Sequence, residues 1–287
     1  MPSDRRRRTL SKQRYGDRGF VLVTVLVFLV LLSSLAVRLL TDSLSASRSV
    51  NASTIVFREG LALDSALNRM NFALEHPTDP LLKAVRSDRN DARWRYDGFD
   101  IVITLEPESG KLDLNTADEA LIESLARGLL DEDTSADLIS RVGQWRQDGR
   151  RFELVEAALS PVNRLRGGVE KVRQAFTVFS GQRGFDPFSA PESLLRALPH
   201  LGSNVVDSIL AARISRSLNA RDLPPLIRQY AVPERPVYTI GAQLASDHDF
   251  ARREAVIVVD PNSHRTQILL WRDVIKPLPL DTAVLPQ

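Results

Sequence analysis

The chain contains no cysteine, so its fold is held by its core rather than by disulfides, and thiolate nucleophiles and thiolate metal sites are excluded. Histidine is scarce as well. His76, His200, His248 and His264 match no metal-ligand spacing, and Ser246-Asp247-His248-Asp249 carries no nucleophile signature. The 14 glycines include no phosphate-cradling loop. No catalytic residue and no metal ligand is therefore assigned, and the chain is not expected to be an enzyme. Neither sign of charge dominates, with 38 Lys and Arg against 36 Asp and Glu.

The charge that is present is unevenly placed. Seven cations (Arg5, Arg6, Arg7, Arg8, Lys12, Arg14, Arg18) face only Asp4 and Asp17 in residues 1–19. Without that segment 31 cations remain against 34 anions, a formal charge of −3, so the high isoelectric point belongs to the leader. A basic protein would point to nucleic acid or anionic lipid; the remainder of this one does not. After Gly19 comes Phe20–Val37, 18 residues without an ionised side chain. At ~1.5 Å per helical residue this stretch reaches roughly 27 Å, near the thickness of a hydrocarbon core. The positive-inside rule puts residues 1–19 on the cytoplasmic side and the rest across the membrane. A plain signal anchor and a cleaved signal peptide are the competing readings. A signal peptide fits poorly, because Arg38-Leu39-Leu40 follow the small residues Ser34 and Ala36.

A third reading comes from the order of parts. Gly19 lies between the charges and the apolar run, so a cut there removes the charges and keeps the helix. Arg18-Gly19-Phe20 resembles a type IV prepilin or pseudopilin leader. That resemblance implies cleavage after Gly19 by a prepilin peptidase and N-methylation of Phe20. The fifth residue of the mature chain, usually Glu in such proteins, is Thr24. A carboxylate at membrane depth costs about 2.5–3.5 kcal/mol on insertion scales and persists only where a partner compensates it. Thr24 has no such requirement, and Thr is equally at home in an ordinary membrane helix.

Beyond the run, Leu44, Val50, Ile55, Val56, Leu61, Leu63, Leu67 and Met70 continue a looser amphipathic helix to about Leu74, where Pro77 and Pro80 stop it. Strand patterns follow at 93–96 and 99–105 around an Asp97-Gly98 turn, and return at 237–241, 254–259 and 266–271, with Asp260-Pro261-Asn262 as a turn. Each cluster is too small to stand alone, so the economical fold is α+β, one antiparallel sheet interrupted by a helical insertion. Thr116 with Glu119, and Ser189 with Glu192, read as capping boxes. Leu121, Ile122, Leu125 and Leu129, then Leu138, Ile139, Val142 and Trp145, form apolar helix faces, as do Leu194, Leu195 and Leu198 and then Val205, Val206, Ile209 and Leu210.

These two helix pairs resemble helix-hairpin-helix or SAM-like units, and a helix-hairpin-helix unit grips DNA phosphates through backbone amides. The hairpins argue against that role. The first carries Asp131, Glu132 and Asp133 where phosphate would approach, and the second has His200 where the first Gly of Gly-x-Gly belongs. Arg213 and Arg216 are the best remaining phosphate contacts.

Lys111-Leu-Asp-Leu-Asn-Thr-Ala117, the Trp145 helix, Phe176-Thr-Val-Phe-Ser180 and Ala190-Pro-Glu-Ser-Leu-Leu-Arg-Ala-Leu-Pro199 together resemble the general secretion pathway protein K family, from Gly19 to about Trp271. In that family Thr24 replaces the usual pilin Glu. The resemblance implies a pilin-like fold: leader 1–19, helix 20–75, sheet 90–110 and 236–272, SAM-like helical insertion 111–235 and loose tail 273–287. It further implies a minor pseudopilin of a type II secretion system. Such a subunit sits single-pass in the inner membrane with its C-terminal domain periplasmic, and then at the pseudopilus tip. The implied partners are minor pseudopilins I and J, with H as a further candidate, and the peptidase; no nucleic acid is expected. The rival functional readings are a competence component binding DNA and a simple anchored periplasmic protein. No cofactor is implied. Relatives that bind calcium here are richer in acidic residues than Trp145-Arg-Gln-Asp148-Gly149, which leaves calcium open and makes Asp131, Glu132 and Asp133 a solvated loop.

Overall fold

A computed structural model describes residues 17–87, 90–165, 168–245 and 251–275. The leader before Asp17, His248, the tail from Lys276 onward and the side chains of Phe20, Leu44 and Val50 lie outside the described residues. The chain divides into two units, residues 1–58 and 59–287. Helix α1 (Asp17–Glu75) contributes to both. In the first unit the described part of the apolar run, Leu22–Leu35, is exposed throughout. Among the described residues no helix is long and apolar enough to cross a membrane.

In the second unit α1 turns one face inward. Ala62, Leu63, Ala66, Leu67, Met70, Ala73 and Leu74 are buried at three- and four-residue spacing, whereas Leu61 is 48% exposed. The expected face holds at Leu63, Leu67 and Met70 but not at Ile55, Val56 and Leu61, which are exposed, and small alanines let the helix approach the sheet. Pro77, two residues past Glu75, disfavours helical backbone at His76. A short helix α2 (Pro80–Ser87) adds Leu81, Leu82 and Val85 to the same core.

The chain then runs through β1 (Asp91–Tyr96), β2 (Phe99–Pro107), β3 (Leu112–Asp113), α3 (Glu119–Leu129), α4 (Glu132–Gln147), α5 (Pro161–Leu165), α6 (Gly168–Ala175), β4 (Phe176–Thr177), α7 (Glu192–Ala197), α8 (Ser203–Ile214), α9 (Pro225–Arg228), β5 (Val237–Leu244), β6 (Ala251–Val259) and β7 (Thr266–Ile275). Five strands form one antiparallel sheet in the order β1-β2-β5-β6-β7. The β1–β2 turn places Asp97 and Gly98 at positive φ (49° and 83°), the conformation that a two-residue hairpin demands. Strand β7 continues to Ile275, where the sequence suggested a tail beginning at 273. Alternate residues Ile101, Ile103, Leu105, Tyr238, Ile240, Ala242, Ala255, Ile257 and Val259 face α1. Leu67 is fully buried in this layer, so Leu67→Ala is expected to cost about 2–5 kcal/mol, read as a lowered urea midpoint.

The helical segment leaves the sheet after Pro107 and re-enters opposite it, Pro107 pairing with Tyr238. Residues 111–235 are thus spliced between two neighbouring antiparallel strands. They bury their own core around Leu114, Leu125, Leu138, Phe176, Phe185 and Leu195. Gly128 lets α3 meet α7 closely, because a Cβ there would sit 2.5 Å from the Ala197 carbonyl oxygen.

Candidate functional site

The predicted processing residues lie in the first unit. Gly19 and Phe20 have helical backbone, and Thr24 is exposed on α1. Nothing in the described residues brings them to a catalytic or binding cluster, and the geometry does not test their assigned roles.

The motif residues do converge. Strands β3 and β4 pair in parallel, Leu112 with Phe176 and Asp113 with Thr177, joining the segments at 111–117 and 176–180. Asp113 accepts the amides of Asn115 and Gly181 at 2.8 and 2.7 Å. Asn115 exchanges two hydrogen bonds with the Phe152 backbone, and Arg146 donates to the Leu114 carbonyl. Trp145 stacks on Phe152 at 4.2 Å with Arg150 over its other face. Every polar atom named here is engaged by the protein itself, so the motif knots the insertion together. Thr116 is part of this knot: its hydroxyl donates to the Gln182 carbonyl. Neither expected capping box forms. Asp118, not Thr116, caps α3, accepting from Ala120 and Leu121, while α7 begins after Pro191 and the Ser189 hydroxyl turns back to Asp186. At α3 the aspartate takes the place of the hydroxyl, whereas α7 has no side-chain cap at all.

The hairpins refine one further expectation and correct another. Asp131 is solvent-exposed as expected but is no free loop residue; it caps α4, taking the Thr134 amide and hydroxyl, and those bonds hold its carboxyl below the usual range. Glu132 and Asp133 occupy the first turn of α4. A phosphate at this helix end would meet a carboxylate already in place. Arg213 is not a surface phosphate contact. Its guanidinium donates to the carbonyls of Ala190 and Pro187, and burial pulls its pKa down. His200 stands at φ +62°, in the left-handed region. Among the described residues no group of three or more His, Asp or Glu side chains is placed to hold a metal ion.

Sequence reasoning missed a seam of charge between the insertion and the sheet. Glu108 and Lys111, both buried, pair at 2.8 Å, and Glu108 also accepts from Thr177 and, at 2.7 Å, from Thr239 of β5. Burial alone would raise the Glu108 pKa. The Lys111 charge and the three hydrogen bonds outweigh it and hold the carboxyl below the usual range. Burial would likewise lower Lys111, but Glu108 and Glu106 push it upward. Further along, Arg272 of β7 joins Glu254 of β6 at 2.7 Å to Glu156 of the insertion at 2.8 Å. The one available signal was the placement of Arg252, Glu254 and Arg272 at alternate positions in otherwise apolar strands, which reads equally well as a solvated face.

The fold is thus a long helix and a five-stranded antiparallel sheet carrying a helical insertion with its own core. No protein-family model matches the chain, and no curated protein matches it. Among solved structures it is similar to a chain of the GspK-GspI-GspJ complex from the type 2 secretion system of enterotoxigenic Escherichia coli. That match has 13% identity and a TM-score of 0.44, and covers 80% of this chain and 99% of that one.

Proposed function

We propose that the chain is a minor pseudopilin of a type II protein secretion system, processed after Gly19 and placed at the tip of a periplasmic pseudopilus, where it helps initiate assembly for protein export. The observation that carries this reading is the order of parts in the sequence: basic leader, Gly19-Phe20, and an apolar run that continues without a break into the amphipathic helix. A leader meant for removal by signal peptidase would have its cut after the apolar run. The α1 layer on an antiparallel sheet supports a pilin-like fold, and the insertion at the β2–β5 connection supports the tip, since its bulk would obstruct a subunit adding above it.

In this reading Phe20 to Leu40 anchors the precursor in the inner membrane with residues 1–19 cytoplasmic and the second unit periplasmic. Phe20 becomes the N-methylated terminus. Thr24 removes the carboxylate that would bind a neighbour's terminal amine, so the subunit joins by its partners I and J, and H, rather than by that contact. The chain is a substrate of the peptidase and not a catalyst. The DNA-binding alternative has lost Arg213 as a phosphate contact. Mass spectrometry of the N-terminus, on protein from cells containing a prepilin peptidase, is expected to find methyl-Phe20 as the first residue and no change in a Gly19→Val variant's intact leader. An intact leader on the unaltered chain would overturn the assignment.

A further inference from the structure

The seam between insertion and sheet is built unevenly, and the unevenness has a direction. At one end, where residues 108–111 and 233–236 connect the two bodies, both oxygens of Glu108 are engaged: Oε1 by Lys111 and Thr239, Oε2 by Thr177. At the other end, among the described residues, the ion pair across the seam is Arg272 to Glu156. Arg272 lies on β7, two strands beyond β5, about 10 Å from the connection at normal strand spacing. There one oxygen of Glu156 takes both Arg173 and Arg272, while its other oxygen is buried without a hydrogen-bond partner. Between the two ends lies a cavity of about 210 Å³ lined by Lys111, Arg173, Phe179, Thr239 and Arg252, among others.

Each body also keeps its own charge pair next to the tie. Glu156 has Arg173 within the insertion, and Glu254 has Arg252 at 3.1 Å within the sheet. If Arg272 lets go of Glu156, neither carboxylate is left buried and alone, so the main penalty for breaking a buried pair is avoided. The two hydrophobic cores are separate clusters, and the apolar residues lining the cavity between them are Val155, Phe176, Phe179 and Val256.

We infer that the insertion is hinged on the sheet at Glu108–Lys111 and latched by the Arg272–Glu156 pair, so that releasing the latch swings the insertion while both cores stay folded. This stands apart from the secretion assignment. The absence of cysteine makes the test direct: exposed Ser208 on α8 and Gln267 on β7 can be replaced by Cys and spin-labelled in the full chain in detergent. Pulsed electron-electron resonance on the otherwise unaltered chain is expected to give one narrow distance distribution. Arg272→Gln is expected to widen it at least twofold, with hydrogen-exchange protection of Leu67 and Leu125 unchanged. An unchanged width would overturn the hinge, and so would lost protection in either core, since Arg272 would then stabilise the fold itself rather than its orientation.

Discussion

Replacing Lys111 with Met is expected to destabilise the second unit by about 3–5 kcal/mol, because it leaves the Glu108 carboxylate buried without its cation. The methylene stem is conserved in length, so little packing is lost and the penalty is electrostatic. The pH dependence separates this from a packing defect. Glu108 has a folded pKa below its unfolded value near ~4.3, so its contribution is present above that pH and is lost as pH falls through the folded value. Lys111 has a folded pKa above its unfolded value near ~10.4, so its contribution is present below that pH and is lost as pH rises through the folded value. The pair therefore supports the fold fully from about pH 4.3 to about pH 10.4. In Lys111→Met the sign at acid pH reverses: Glu108, now raised by burial, is expected to take up a proton and recover stability as pH falls from 7 toward 5. Urea unfolding at several pH values checks this, and the double variant Glu108→Gln, Lys111→Met is expected to regain most of the loss.

Gly184→Ala is expected to cost about 4 kcal/mol or more and to melt the insertion first. A Cβ at Gly184 would lie 1.8 Å from the Tyr230 carbonyl oxygen, a backbone atom that cannot swing aside. That oxygen accepts from Phe185, whose own carbonyl accepts from Val232, so the segments at 184–185 and 230–232 are stitched main chain to main chain beneath fully buried Phe185. Opening the stitch breaks both bonds and unseats the ring, a combination that places the variant in the severe tail of point mutations. Gly143→Ala is the contrast. It lies inside α4 with nothing within 4 Å of its Cβ position, and replacement is expected to stabilise by about 0.5–1 kcal/mol. Thermal melts of the two variants should move in opposite directions.

The two glycines show where sequence reading stops. Gly143 looks like a flaw in a helix and is one. Gly184 looks like any loop glycine, because the atom that forbids a side chain belongs to Tyr230, 46 residues further on. Strands were legible for the opposite reason. The alternation at 99–105 and 254–259 repeats within a few residues, and β2 and β6 carry it with Ile101, Ile103, Ala255 and Ile257 turned to α1. Helix caps fell between the two cases. Hydroxyl and carboxylate candidates stood side by side at Thr116 and Asp118, and the choice turned on Gln182, whose carbonyl drew Thr116 away.

The sequence by itself determined the charge asymmetry, the Gly19-Phe20 order, the absence of disulfides and the alternation of helix and strand, because each is a property of neighbours along the chain. Only the tertiary structure decided which charges are buried and paired. Glu108 meets Thr239, 131 residues away, and Arg272 meets Glu156, 116 residues away. A charged side chain in a strand or turn is identical in sequence whether water or a second domain lies over it, and its desolvation exists only once the insertion has folded back upon the sheet.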